Sequence, residues 1–290
     1  MTDSTLKSLF ENRRALLATM HKKETAIAPI LEPGLGVKVV VPEDFNTDQF
    51  GTFTRNIKRL GNQIETARAK IRSLLAATGE TLGIASEGSF YPHPSLFLVP
   101  CDREIVLLLD ETNGLEIIGQ AISPETNFSH QSIKSSQEAL DFAQKVGFPD
   151  HGLVVMPDAN TQNLEQIFKG ITKTEELLAI VAEVLQYSPE NTAHIETDMR
   201  AMFNPTRRKV IAQATQNLLD KLRQLCPQCS CPGFDIVAQK RGLPCGLCHL
   251  PTDLIRADIY RCQRCGYEKE SLFPQGINIA EPTYCSYCNP

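Results

Sequence analysis

The first 190 positions alternate between short apolar runs and polar stretches. Ala15-Leu16-Leu17-Ala18 is an apolar run that gives way to Thr19, His21, Lys22, Lys23 and Glu24. It predicts a strand whose carboxyl end opens into a charged loop. "TAIAPIL" fits a helix and "VKVVVP" a second strand, so the chain opens as strand, loop, helix, strand. Ligands of α/β proteins bind at the carboxyl ends of such strands. The next loop, "NTDQFGTFTR", carries Asp48, Gly51, Thr52 and Arg55. From 55 to 79, Ile57, Leu60, Ile64, Ala67, Ile71 and Leu74 recur at helical spacing, and Gly79 closes the helix.

A strand follows at Leu82, Ile84 and Ala85 and runs into Glu87-Gly88-Ser89, with two prolines flanking His93 beyond. "LFLVPCDREIVLLLDETNGLEIIGQAI" reads as two strands about an Asn113-Gly114 turn, with Asp102 and Glu104 on the first. Asp110 reads as a turn residue, Cys101 as core, and His93 as a loop histidine. A helix from Ser135 or Ser136 to Val146 leads to the strand in "GFPDHGLVVMP", and "KTEELLAIVAEVLQY" is helical. Asn204-Pro205 is a helix cap followed by proline at the first helical position. Ile211, Ala214, Leu218, Leu222 and Leu225 then form one buried stripe on a helix from about 205 to 225.

The pattern predicts an α/β protein, with a mixed sheet flanked by helices in an α/β body over 1–190. A helical connector over 191–225 and a cysteine-rich module over 226–290 follow. Composition fits this: 42% of residues are hydrophobic and 22% charged, as in an ordinary globular protein. The net charge of −5 argues against a protein that coats polyanions. No apolar stretch is long enough to span a membrane. The first residues have no apolar segment after a basic start, so the expected location is the cytoplasm.

Cysteine usage changes the picture most. Nine of the ten cysteines lie between 226 and 290, and eight form CxxC pairs: Cys226/Cys229, Cys245/Cys248, Cys262/Cys265 and Cys285/Cys288. Two residues between thiolates let both sulfurs converge from one tight turn, and two such turns make a four-thiolate zinc site. In a reducing compartment this predicts two structural zinc ions rather than disulfides. "CGLCHLPTDLIRADIYRCQRCGYEKE" reads as one zinc ribbon, which would leave 226/229 to close with 285/288; interleaved pairing is the alternative. Cys231 is a spare, and His249 follows Cys248 without being needed as a ligand. The module carries equal numbers of acids and bases and no basic stripe, so a structural or protein-contact role is favoured over nucleic-acid reading. Its aromatic residues read as packing around the metal.

The charged residues of the body and connector suggest a second site. Lys23, Lys70, Arg55, Arg200 and Arg207 are able to surround phosphate oxygens. Glu24, Asp48, Glu87, Asp102 and Glu104 are able to hold a divalent metal such as Mg, the combination that phosphoryl transfer needs. An arginine in the first turn of a helix asks for an anionic partner, because the helix dipole disfavours it there. For Asp198, Arg200, Asn204 and Arg207 the competing reading is surface charge. Gly88 would let backbone approach a ligand.

Two resemblances follow from these motifs. The "KE" loop, "TDxxGTF", "SEGSF…HP", "ETDMRA…NPTR" and a tail ending "YCxYCNP" resemble an uncharacterised bacterial family classed as a domain of unknown function. Residues 15–90 resemble the inosine triphosphate pyrophosphatase superfamily, magnesium-dependent hydrolases of non-standard nucleoside triphosphates. The match runs through Ala18-Thr19-Met20-His21 with Lys23, Ala67 and Lys70 with Thr78-Gly79, and Ala85-Ser86-Glu87-Gly88-Ser89. The resemblance implies that fold, with Lys23 and Lys70 facing phosphates and Glu87 binding metal or activating water. His21 and Thr66 stand where that superfamily has asparagine, and Ser86 where it has aspartate. The expected site comprises Glu87, Asp102 and Glu104 as catalytic groups, with His21, Lys23, Glu24, Asp48, Arg55, Lys70, Ser89, Asp198, Arg200, Asn204 and Arg207 around an anionic small molecule. The expected activity is hydrolysis of a phosphorylated small molecule. The competing class is a non-enzymatic zinc-ribbon adaptor for a protein or nucleic-acid partner.

Overall fold

A computed structural model of the chain describes residues 2–43, 45–47, 61–93, 96–188 and 190–290. In chain order its elements begin with α1 (Thr2–Phe10), β1 (Arg14–Ala18), α2 (Glu24–Leu35), β2 (Lys38–Val40) and α3 (Gln63–Thr78). A long antiparallel set follows: β3 (Leu82–His93), β4 (Leu96–Asp110) and β5 (Leu115–Ser123). Then come β6 (His130–Ile133), α4 (Ser136–Val146), β7 (Leu153–Met156), β8 (Phe168–Ile171), α5 (Thr174–Tyr187), β9 (Ala193–Thr197) and α6 (Pro205–Arg223). The last strands are β10 (Asp235–Arg241), β11 (Ile255–Arg261) and β12 (Glu268–Leu272). Contacts divide the chain into two units, Phe10–Leu219 and a second made of Met1–Leu9 with Asp220–Pro290.

The larger unit is α/β and contains two sheets. The first is mixed, in the order β2-β1-β3-β4-β5. β1 lies parallel to β2 and β3, while β3, β4 and β5 run antiparallel. One face packs on α3, whose Ala67, Ile71, Leu74 and Leu75 meet Leu16, Ala18, Ala85, Ile105 and Leu107. The other face receives α6 at Gly119, where an added Cβ would strike the Ala214 carbonyl and Leu218, so only glycine admits the helix. The second sheet is antiparallel, in the order β6-β9-β7-β8. One of its faces is covered by α4 and α5 through Phe142, Ala143, Leu177, Val181 and Val184.

The mixed sheet flanked by helices is as expected. The segment expected as a helical connector, 191–225, holds a strand as well as a helix: β9 pairs with β6 and β7 at the centre of the second sheet. Helix α3 starts later than the periodicity predicts, because Asn62 caps it: its side chain accepts from the Glu65 amide at 3.0 Å, and Glu65 returns the bond to the Asn62 amide at 2.9 Å. This reciprocal cap fixes the first turn; residues 55–60 lie outside the described residues. Asp110 is more than a turn residue. It caps the turn through the Thr112 amide and binds Arg13 through two bonds of 2.7 and 2.8 Å, tying the start of β1 to the end of β4.

The smaller unit is a three-stranded antiparallel meander, β10-β11-β12. Phe234 stacks on Tyr260 and Tyr267 at 5.6 and 5.9 Å, whereas Tyr284 and Tyr287, also expected as packing, are exposed. Among the described residues, no helix is long and apolar enough to cross a membrane.

Candidate functional site

Strand β1 ends at Ala18, opposite Ala85, but β3 continues to His93. Past Ala85 no strand among the described residues lies beside the β1-side edge of β3, and the loop after β1 folds there. Lys23 directs its ammonium onto the Ser86 carbonyl and lies 3.3 Å from the Ser86 hydroxyl. The side chain is buried. Burial first, then the charge of Arg207, pulls its pKa down to about 7, while Glu87 and Glu104 pull the other way and Lys70 adds to the lowering.

Five further ionisable side chains surround this lysine. On the α3 face, Lys70 reaches Glu87 at 2.5 Å, and both are buried. Gln63, in the first turn of α3, clamps the helix onto the sheet by donating to the Glu87 and Arg103 carbonyls, each at 3.0 Å. Thr66, one turn before Lys70, is buried, and its hydroxyl has no hydrogen-bond partner among the described residues.

On the opposite face of the sheet, Arg207 reaches in from the first turn of α6. Its Nε donates to Glu104 Oε1 at 2.7 Å, another of its nitrogens donates to the Met199 carbonyl, and its guanidinium lies 5.4 Å over the Phe90 ring. Both ion-pair partners are fully buried. The Asn204 side chain caps α6 by accepting from the Arg207 amide at 2.9 Å, which sets the angle at which Arg207 enters. An arginine at a helix start asks for an anion, and here Glu104 is one.

Asp102 stands two residues from Glu104 on the same strand, so both point to the same face. Each is buried; no N–H or hydroxyl donor among the described residues reaches Asp102 Oδ1 or Glu104 Oε2, and the two carboxyls hydrogen-bond each other when Asp102 is protonated. Burial, and then the charge of Glu104, push the Asp102 carboxyl up to about 8, while Arg207 and Lys23 oppose the shift. Asp102 therefore holds a proton at neutral pH.

The fold thus gathers six buried ionisable groups about one edge of β3, Lys70 and Glu87 on the α3 face, Asp102, Glu104 and Arg207 on the other, and Lys23 feeling the charge of both sets. Burying so many charges near one edge is costly for a purely structural core. The other expected residues fall differently. Asp198 and Arg200 bind each other, with bonds of 2.6 to 3.2 Å, and Asp198 also accepts from the Gly170 amide. His21 and Glu24 are half-buried in the loop after β1 and the first turn of α2, and Ser89 is half-buried on β3. Asp48 and Arg55 lie outside the described residues. Ser86 and Thr66 enter the sequence reading only as departures from a resembled motif, and Gln63 not at all; helical spacing from Lys70 is the local signal that points to Thr66 and Gln63.

The smaller unit carries two cysteine groups: Cys226, Cys229, Cys262 and Cys265, and Cys245, Cys248, Cys285 and Cys288. The favoured ribbon pairing is thereby corrected to the interleaved one. The reason is the meander. Antiparallel pairing of β10 with β11 sets Asp235 opposite Arg261, which brings the knuckle before β10 beside the knuckle after β11. The remaining two are joined by the Cys245–Ala280 bridge.

Sulfur–sulfur distances test the fit to a metal. Four thiolates bound tetrahedrally at about 2.3 Å stand about 3.8 Å apart. The closest approaches across knuckles are 3.7 and 3.6 Å in the first group, and 3.8 and 3.6 Å in the second. Both groups are able to hold a structural zinc ion. In every knuckle the residue after the second cysteine donates its amide to the carbonyl of the first: Ser230 to Cys226, His249 to Cys245, Gly266 to Cys262 and Asn289 to Cys285. His249 takes a left-handed backbone (φ 57°) to do so, which makes it a turn residue rather than a ligand. Cys231 and Cys101 are buried and belong to neither group.

A family model described as a domain of unknown function, DUF6671, matches residues 70–290, well over half of the chain. No curated protein matches it.

Proposed function

We propose that this chain, which belongs to the DUF6671 family, is a divalent-metal-dependent hydrolase of a phosphorylated small molecule, built on an α/β body with a structural zinc module. The observation that carries the reading is the buried pair Asp102 and Glu104, each with a carboxylate oxygen that no N–H or hydroxyl donor among the described residues reaches, near three buried cations from three separate segments. Magnesium takes one or two carboxylates and keeps its remaining positions for water and phosphate oxygens, so hard oxygen donors of this kind suit it. When bound, the ion would polarise the phosphoryl group and lower the pKa of a bound water. Lys23, Lys70 and Arg207 would balance phosphate charge, and Glu87 would orient or deprotonate the attacking water. The likeness of residues 15–90 to inosine triphosphate pyrophosphatases supports the same roles for Lys23, Lys70 and Glu87 and extends the reading to nucleoside triphosphates. Eight reduced thiolates suit the cytoplasm.

The test is a panel of nucleoside triphosphates with magnesium, assayed for pyrophosphate and phosphate release. We expect release from at least one, abolished by Glu87→Gln and by Asp102→Asn with the zinc content unchanged. No release from any member, together with no magnesium-dependent binding of a triphosphate, would overturn the reading. A second reading, a protein adaptor, draws on Leu247, Ile279, Tyr284 and Tyr287, which are exposed in and around the second cysteine group. It predicts a function untouched by Glu87→Gln and lost on substituting Leu247 and Tyr287.

A further inference from the structure

The charge cluster has an aromatic neighbour. Phe90 lies opposite Asp102 in the β3–β4 ladder, and its ring is the one over which Arg207 sits. Phe90 stacks on Phe128 with centroids 5.5 Å apart and planes 17° from parallel. Phe128 meets the His130 ring edge-on at 6.1 Å, and His130 lies 5.5 Å from His194. His194 Nε2 is 3.3 Å from the Glu196 carboxylate.

Register explains why these residues share a surface. His130 pairs with Glu196 and Ser132 with His194, so all four project from the face of the second sheet that α4 and α5 leave uncovered. Phe128 is 39% exposed, large for an aromatic ring already stacked on one side. The row therefore runs from buried cations and acids through the exposed ring of Phe128 to the exposed His130, behind which His194 is buried.

We infer that this row, Phe90–Phe128–His130–His194 with Glu196, receives the ring of a heteroaromatic phosphate ester, a nucleotide, whose phosphates lie at the charge cluster; the inference rests on the proposed function and names its substrate class. A flat ring stacks on Phe128, as bases do on aromatic side chains in general. Ring N–H groups find an acceptor in Glu196, and ring nitrogens find a donor in the exposed imidazole of His130. A sugar phosphate or inorganic polyphosphate has no flat aromatic ring to stack on Phe128.

The test compares a nucleoside monophosphate with ribose 5-phosphate by calorimetry on the full-length, zinc-loaded chain with magnesium. Neither probe is a triphosphate to be turned over. We expect the nucleotide to bind about ten- to a hundredfold more tightly, the worth of one stacked base. Phe128→Ala should bring it down to the ribose 5-phosphate level without weakening ribose 5-phosphate, and Phe128→Tyr should restore it. Equal affinities for the two probes in the wild-type chain would overturn the ring site and leave the anion site standing. A Phe128→Ala variant that weakens both probes alike would also overturn it, since the ring would then serve as scaffold. Failure of both probes to bind would remove the ring site and the anion site together.

Discussion

Gly88 faces Glu104 across the β3–β4 ladder, and the missing side chain of the first is what lets the carboxylate of the second lie against the strand. An added Cβ would collide with Glu104 Oε1 and come within 2.6 Å of Arg207 Nη2. The glycine was expected to admit a ligand; it admits a buried ion pair. Gly88→Ala must displace two fully buried, hydrogen-bonded groups. We expect a loss of about 1–3 kcal/mol in urea unfolding. Ser89→Ala, on the other face of the same strand, should change stability by about 0.5 kcal/mol or less. Equal effects at both positions would show that the Glu104–Arg207 pair does not depend on the glycine.

Asp102 gives the fold a pH dependence of definite sign. Its carboxyl titrates near 8 in the folded chain and at 3.8 when exposed. Between those values the folded state binds the extra proton, so stability falls as pH rises through that window, by on the order of 1.4 kcal/mol per pH unit at most. Lys23 acts in the opposite sense and in a different window. Its pKa is lowered to about 7 from 10.5, so stability rises as pH climbs from about 7 to 10.5. Asp102→Asn should flatten the falling limb and leave the variant more stable than the wild-type chain at pH 8. Lys23→Met should flatten the rising limb. Chemical denaturation across pH 4 to 10 reads both.

Arg13 and Asp110 form a bidentate pair in which Asp110 is fully buried and Arg13 is about a quarter exposed. Burial raises the Asp110 carboxyl, but the bonds from Arg13 and Asn113 outweigh it and hold the pKa below its usual value. This contribution is present above the ordinary carboxylate range and lost as pH falls through the depressed value. Arg13→Ala leaves a buried carboxylate short of its partner and should cost about 3 kcal/mol. Asp110→Asn, which keeps the turn bonds, should cost less. A thermal melt at pH 7 ranks the two.

Zinc stoichiometry tests the interleaved ligand sets. The intact chain should bind two zinc ions. Cys226→Ser with Cys262→Ser should leave one ion, because both belong to the first group. Cys226→Ser with Cys285→Ser should leave none, because each group then loses a ligand. The ribbon pairing expected from sequence predicts the reverse, and elemental analysis of the purified variants decides between them. Strong chelation should unfold the module around residues 226–290, since structural zinc supplies roughly 10–16 kcal/mol in modules of this kind.

Local patterns made much of this legible. The apolar run at 15–18, the Asn113-Gly114 hairpin, the stripe on α6 and the four knuckles each state their structure within a few residues. Asp102 and Glu104 were chosen by type and come together because residues two apart on a strand share a face. What escaped was long-range. Nothing near Cys226 says that its partner knuckle is 262/265 rather than 285/288, because β-strand register decides that. The short strand in "HIET" lacks enough alternation to stand out beside charged neighbours. Arg13 and Asp110 lie 97 positions apart, and no local signal joins them. The Asn62 cap was hidden by apolar spacing that continues upstream of it.

Crosswise ligation has a consequence for how the cysteine module can be cut. The loop closed by the first metal, 226 to 265, overlaps the loop closed by the second, 245 to 288. A chain stopped after Cys265 keeps one complete metal cage and half of another; a chain begun after Gly242 keeps the reverse. Either cut would leave a pair of thiolates without the other half of its cage, so the two cages stand or fall as one block.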